Sequence, residues 1–153
     1  LKYISSLNKI ILEHGFKLVV KLHPYSLKNE LNKKLYNHDI NCIEKDEIKT
    51  YLLNSRYVIS EASSIISIAC LTGVPVITPT IKPFSSKKYG YLINSYPNRL
   101  YFNSFKEFEK IIQNNGALED KKLEVEKWID EFAGPLPPSD FSKRVLNIVQ
   151  SII

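Results

Sequence analysis

The chain has 153 residues, 44% of them hydrophobic, and a net charge of +5 at pH 7. This size and composition are those of one globular domain with a core of its own. The longest apolar-rich stretch, 65–71, contains Ser67 and is far too short to span a membrane. The modest positive charge suits an acidic ligand or acceptor or an anionic membrane surface, and is too small to indicate nucleic-acid binding.

The start of the chain indicates a fragment. The first residue is Leu1, no Met occurs, and Ile4, Leu7 and Ile11 already have the spacing of an amphipathic helix. We therefore expect the C-terminal part of a longer protein, with residues 1–153 forming a single domain.

Helix and strand patterns alternate along the chain. Helices are predicted over 2–14, 25–36, about 46–53, 63–72, 104–114, 118–132 and from about 139 to the end. Strands are predicted over 16–22, 40–43, 57–60, 75–79 and 99–102. This alternation favours parallel strands joined by crossover helices, so we predict an α/β fold with a Rossmann-like parallel sheet of about five strands.

The two cysteines, Cys42 and Cys70, lie in apolar runs and have no CxxC partner. Such cysteines are typical of reduced, buried thiols in a cytosolic protein, and they predict no metal site. Trp128 has helical spacing with Val125 and Phe132, which favours a place in the core.

His23 is the first candidate site residue, because it follows the predicted strand 16–22 directly. Pro24 fixes the backbone there and suits the first position of the next helix. A histidine in this position can donate a hydrogen bond to a phosphate oxygen, and it adds a positive charge when protonated. The alternative interpretation is that His23 only caps the loop.

Ser63 and Ser64 open a predicted helix after the strand 57–60. Hydroxyls and backbone N–H groups at the positive end of a helix dipole form an anion site. Ser63 could also be a simple N-cap, which is compatible with phosphate binding. The carboxylate of Glu61 would repel a phosphate, and it could instead accept a ribose hydroxyl or cap the helix.

Two further segments extend this predicted site. Glu44 and Lys45 follow the short strand 40–43, at an edge that commonly meets the base of a nucleotide, and a solvated turn is the alternative. Segment 80–98 and Arg99 just beyond it are rich in lysine and tyrosine, which suits a sugar or an acidic acceptor as well as an ordinary surface loop. The sequence has no P-loop, GxGxxG or GxSxG motif, so hydride transfer and P-loop chemistry have little support.

The pair of motifs, Lys21-Leu22-His23-Pro24 and Ser60-Glu61-Ala62-Ser63-Ser64, carries a family resemblance. It resembles the C-terminal nucleotide-binding domain of bacterial GT-B glycosyltransferases, in particular sialyltransferases and polysialyltransferases with HP and SS motifs. Capsule polymerases and teichoic-acid glycerophosphate polymerases look similar. The run 69–77, in which small residues lead into Gly-x-Pro-Val-Ile, also has the look of this fold.

The resemblance implies a role for each site residue. His23 would be catalytic, stabilising the leaving nucleotide through the donor phosphate, which Ser63 and Ser64 would also bind. The rest of the nucleotide and phosphate site would comprise Lys21, Pro24, Glu44 and Glu61. The donor would be a CMP- or CDP-activated compound such as CMP-sialic acid, with no cofactor and no metal.

The same resemblance limits what the chain can do alone. The acidic general base and most of the glycan-acceptor site would belong to an N-terminal half outside this sequence, so the fragment would bind nucleotide without transferring sugar. The open alternatives are a CDP-glycerol-type polymerase, a UDP-sugar 2-epimerase-like domain and a non-catalytic α/β interaction module. The free thiols and the net positive charge, rather than the resemblance, predict a cytoplasmic or inner-membrane-associated location.

Overall fold

A computed structural model of the chain describes residues 2–22, 35, 40–43, 48–61, 64–81, 94–114 and 121–133. Over these residues the helices are α1 (Lys2–Glu13), α2 (Ile48–Leu53), α3 (Ser64–Leu71), α4 (Phe105–Gln113) and α5 (Lys122–Ala133). The strands are β1 (Val19–Lys21), β2 (Asn41–Ile43), β3 (Val58–Ile59), β4 (Val76–Pro79) and β5 (Arg99–Phe102). None of the described helices is both long and apolar enough to cross a bilayer.

The chain divides into two compact units. The first comprises Leu1–Ser55 and Phe102–Asn115, and the second comprises Arg56–Tyr101 and Gly116–Ile153. Each unit contains a pair of parallel strands flanked by helices, so the α/β class is confirmed.

In the first unit, β1 and β2 form a parallel pair in which Val19 lies opposite Asn41 and Lys21 lies opposite Ile43. A core cluster of Leu22, Leu35 and Ile40 packs against this pair. Helix α1 packs on α4, where the rings of Tyr3 and Phe105 lie 5.5 Å apart. Helix α1, from the start of the sequence, and α4, from the later part of it, thus bury their apolar faces against each other.

In the second unit, the strands have the order β3-β4-β5, and β3 is parallel to β4. Every residue of β4 is buried, as expected for a central strand covered on both faces. Helix α3 packs against β4 and α5 and contributes Ile66, Ala69 and Cys70 to the core. Val76 and Ile77 of β4 are fully buried beside them.

Side chains of the segment 95–98 contact both α5 and the residues that lead into β4. The Tyr96 hydroxyl donates a hydrogen bond to the Val74 carbonyl (3.0 Å), and the Trp128 Nε1–H donates one to Ser95 Oγ (2.9 Å). The Tyr96 and Trp128 rings meet edge to face at 5.0 Å. Trp128 is buried, so the predicted core role of this residue is confirmed.

Helices α1 and α3 end in the same way, at a glycine with a left-handed backbone. Gly15 and Gly73 both have φ of +77°. At each end the glycine N–H bonds three residues back, and the following residue bonds five residues back, as in Phe16 N–H to Ile11 O (3.0 Å). This pattern is the Schellman motif, which satisfies carbonyls at the end of a helix, and both glycines were predicted to end these helices.

The prediction of one sheet of about five strands is wrong for the described residues. Five strands occur there, but they form a two-stranded sheet and a three-stranded sheet. Alternation of helix and strand patterns predicts parallel neighbours, yet it does not determine which strand edges meet. Four of the five strands are also shorter than predicted, and the expected strand 16–22 is reduced to Val19–Lys21. The assignment of residues 1–153 to one domain stays a prediction.

Substitution of Gly15 tests the α1 terminus. An added Cβ would meet no atom within 4 Å, so only the backbone conformation opposes it. We expect Gly15→Ala to lower the free energy of unfolding by about 1–2 kcal/mol, because the left-handed conformation is strained for alanine. Gly15→Asn should cost less, since asparagine tolerates this conformation. Urea unfolding measures both, and equal losses for the two variants would contradict the explanation.

Neighbouring leucines of α2 provide a matched test of core packing. Leu52 is 5% exposed and Leu53 is 60% exposed. We expect Leu52→Ala to cost about 2–5 kcal/mol of unfolding free energy, through lost burial and a residual cavity. Leu53→Ala should stay within about 0.5 kcal/mol of the wild type. Similar values for the two variants, measured by urea unfolding, would mean that α2 buries a different face.

Candidate functional site

The carboxyl ends of β1 and β2 form one edge of their sheet. The two strands run parallel and end opposite each other, at Lys21 and Ile43. In sequence, His23 follows β1 by two residues and Glu44 follows β2 by one. His23, Pro24 and Glu44 lie outside the described residues. The structure therefore describes the strand ends that precede His23 and Glu44 in the sequence, but not these two residues themselves.

Lys21 is the predicted site residue that the structure describes at this edge. It is half-buried, and its Nζ donates a hydrogen bond to the carbonyl oxygen of Leu22 at 3.1 Å. This contact holds the ammonium at the carboxyl end of β1. An ammonium has three N–H donors, so one bond to a carbonyl is compatible with a second bond to a phosphate oxygen.

A second carboxyl edge is formed by β3 and β4. The ladder between them continues past β3, because the Ser60 N–H donates to the Ile77 carbonyl at 3.1 Å. Helix α3 then begins at Ser64, five residues after the end of β3. Ser63 and the side chain of Ser64 lie outside the described residues. The positive end of the α3 dipole thus follows closely on the carboxyl end of a parallel strand.

Ser60 and Glu61 occupy the described part of the β3–α3 turn. Ser60 Oγ donates a hydrogen bond to the Glu61 carbonyl at 2.9 Å, and Glu61 is exposed to solvent. An exposed carboxylate is well hydrated, and the high dielectric around it weakens its repulsion of a nearby phosphate. The exposure of Glu61 therefore lowers the electrostatic repulsion between its carboxylate and an anion bound nearby.

The predicted site residues fall into the two compact units. Lys21 belongs to the first unit, whereas Glu61 and Ser64 belong to the second. Each is described within its own unit, so a site assembled from both units stays a prediction. Within the described part of the chain, no group of three or more His, Cys, Asp or Glu side chains is arranged to hold a metal ion. The expectation of metal-free phosphate binding also stays a prediction.

Arg99 is a buried cation with polar partners, and its burial was not expected from the sequence. It is 7% exposed, its Nε donates to Thr78 Oγ1 (3.3 Å) and its Nη1 donates to Asn94 Oδ1 (2.9 Å). The guanidinium lies over the Tyr101 ring, 4.8 Å from the centroid. In the sequence, Arg99 directly follows the lysine- and tyrosine-rich segment 80–98, which suggests a surface loop. Its position in the predicted strand 99–102, two residues before Tyr101, was the signal that both would share one sheet face.

The two cysteines differ in burial. Cys70 is fully buried, and burial raises the pKa of its thiol to about 12, although the positive charge of Arg99 acts in the opposite direction. Cys42 is half-buried, and burial raises its pKa as well. The predicted buried thiol is therefore confirmed for Cys70 and holds only in part for Cys42. Neither shift favours the thiolate that a nucleophile requires.

Comparison with known proteins adds no relative. The chain matches no protein-family model, no curated protein and no solved structure. Assignment of a function therefore depends on the two motifs and on the strand ends and helix start next to them.

The raised pKa of Cys70 predicts a loss of stability at alkaline pH. The thiol stays protonated in the folded state to about pH 12, whereas in the unfolded chain it loses its proton from about pH 9. Its contribution to stability is therefore complete below pH 9 and is lost as the pH rises toward 12, by at most about 1.4 kcal/mol per pH unit.

Reversible urea unfolding between pH 8.5 and pH 11, under reducing conditions, measures this loss. We expect the free energy of unfolding to fall less steeply with pH in Cys70→Ala than in the wild type. The pKa of the Tyr96 hydroxyl is also raised, mainly by burial and in smaller part by Cys70. Cys70→Ala leaves the larger cause in place and removes the smaller one, which makes the fall less steep in the same direction. Parallel pH profiles for the two proteins would contradict the prediction.

Proposed function

We propose that the chain is the donor-nucleotide-binding part of a bacterial surface-polysaccharide glycosyltransferase, with a CMP-activated sugar such as CMP-sialic acid as the donor. One observation carries the proposal: α3 begins at Ser64, five residues after β3 ends at the carboxyl edge of the parallel pair β3–β4. Ligands of open α/β sheets bind outside the carboxyl ends of strands, and helix N-termini favour anions. Ser63 and Ser64 add two hydroxyls at that point.

The His-Pro motif supports the same proposal from the first unit. It follows the carboxyl end of β1, which is the edge where the Lys21 ammonium is held by a backbone carbonyl. A cation and an imidazole that follow one strand end suit a phosphate-bearing ligand. The two motifs thus follow strand ends of the same kind, one in each unit.

The proposed chemistry assigns a role to each of these groups. The serine hydroxyls and the N-terminus of α3 bind the donor phosphate, and Lys21 adds positive charge. An acceptor hydroxyl attacks the anomeric carbon, the bond from that carbon to the phosphate oxygen breaks, and CMP departs. His23 donates a hydrogen bond to the charge that develops on the phosphate. Loss of one such donor costs on the order of 100-fold in rate.

The remaining roles complete the proposed site. Glu44 contributes to recognition of the base, and Glu61 accepts a hydrogen bond from a ribose hydroxyl. The acceptor proton goes to an acidic residue that another part of the enzyme supplies, so this chain alone binds the nucleotide and does not transfer the sugar. No metal takes part in the proposed step.

Calorimetric titration of the chain with CMP, CDP and UDP tests the proposal. We expect CMP to bind more tightly than UDP. His23→Ala and Ser64→Ala should each weaken CMP binding by roughly tenfold, because each removes one hydrogen bond to a charged group. Ser67→Ala is the matched control, since Ser67 lies one turn further along α3, beyond the region where the helix dipole acts.

The outcomes separate the candidate functions. Circular dichroism first establishes that each variant is folded. A folded wild-type chain that binds none of the three nucleotides would overturn the proposal and favour a non-catalytic interaction module. Preference for UDP would instead favour an epimerase-like domain. Equal weakening by Ser64→Ala and Ser67→Ala would indicate a general effect on α3.

A further inference from the structure

Tyr101 of β5 is an exposed aromatic ring held in place by polar neighbours. The residue is 42% exposed, and the Arg99 guanidinium lies over its ring at 4.8 Å from the centroid. Its hydroxyl donates to Asn94 Oδ1 at 3.4 Å, and the same oxygen accepts from Arg99 Nη1 at 2.9 Å. Asn94 Oδ1 thus accepts hydrogen bonds from both Tyr101 and Arg99, the residue whose guanidinium stacks on the tyrosine ring.

These contacts fix the orientation of the Tyr101 ring in the free protein. Arg99 is itself fixed by Thr78, a fully buried residue of β4, through a hydrogen bond of 3.3 Å. A ring oriented in the free protein loses little further conformational entropy when a ligand covers it. Because the guanidinium covers one face of the ring, we assign the exposed area to the opposite face and the ring edge.

The position of Tyr101 in the sheet relates it to the proposed phosphate site. Val76 N–H bonds the Asn98 carbonyl, and Thr78 contacts Arg99, so β5 advances in the same direction as β4. Tyr101 therefore lies toward the end of β4, at the edge where β3 ends and α3 begins. Adjacent strands are about 4.8 Å apart, which puts β5 about 10 Å from β3. The base and the phosphate of one nucleotide can span a distance of this order.

We infer that Tyr101 is the stacking platform for the base of the donor nucleotide. The inference rests on the proposed function and adds to it a residue outside both sequence motifs. A single flat ring with polar neighbours suits a planar base, whereas a protein partner requires a contiguous apolar patch. Stacking on aromatic residues is also a common mode of binding nucleic-acid bases.

Calorimetry and saturation-transfer difference NMR with CMP test the inference. Tyr101→Ala should weaken CMP binding by about 5- to 150-fold, the range that corresponds to loss of one base–aromatic stack. Tyr101→Phe keeps the ring and should stay within about threefold of the wild type. Leu123→Ala, which removes an exposed side chain (63%) from α5, is the matched control.

The NMR measurement distinguishes stacking from a general structural effect. In the wild type, the H5 and H6 protons of cytosine should receive strong saturation, and Tyr101→Ala should lower their signal relative to the ribose protons. CMP binding with an unchanged proton pattern and affinity in Tyr101→Ala would overturn the inference and leave the proposed function intact. Absence of CMP binding to the wild type would overturn both. A loss of base signal in Tyr101→Phe equal to that in Tyr101→Ala would assign the effect to the hydroxyl and overturn stacking.

Discussion

The parallel pairing of β3 with β4 is the interaction on which the second unit depends. Two parallel neighbours cannot be joined by a tight turn, so the chain must cross over between them, and α3 is that crossover. The Schellman motif at Gly73 then lets the chain reverse within four residues and enter β4 at Val76. The position of the α3 N-terminus at a strand edge is therefore a consequence of strand pairing.

Most helix and strand bounds could be predicted from the sequence because their signals are local. Gly15 and Gly73 end α1 and α3, and Ser104 caps α4 by accepting a hydrogen bond from the Glu107 N–H at 3.2 Å. The strand 99–102 has the predicted bounds. Strand pairing was not predictable in the same way, because it depends on contacts between distant segments. The division into a two-stranded and a three-stranded sheet illustrates this limit.

The candidate site was likewise predictable where its signals are local, and not where it depends on contacts between distant residues. The expectation that the serine pair opens a helix after a strand agrees with the start of α3 at Ser64. The burial of Arg99 was not predictable from its surroundings in sequence, because a lysine- and tyrosine-rich segment precedes it. Burial of a guanidinium depends on hydrogen bonds from other elements, here Thr78 and Asn94, which no local pattern indicates.

Trp128 is the sole tryptophan of the sequence, and its described contacts lie with Ser95, Tyr96 and Phe132 of the second unit. Its fluorescence is therefore a spectroscopic probe of one unit, whereas the far-ultraviolet dichroism of the helices reports on both. Coincident denaturation curves from the two signals would indicate that the units unfold cooperatively, and separated curves would indicate independent transitions. A single native tryptophan, excited selectively over the tyrosines, thus makes the thermodynamic coupling of the two units measurable without any label.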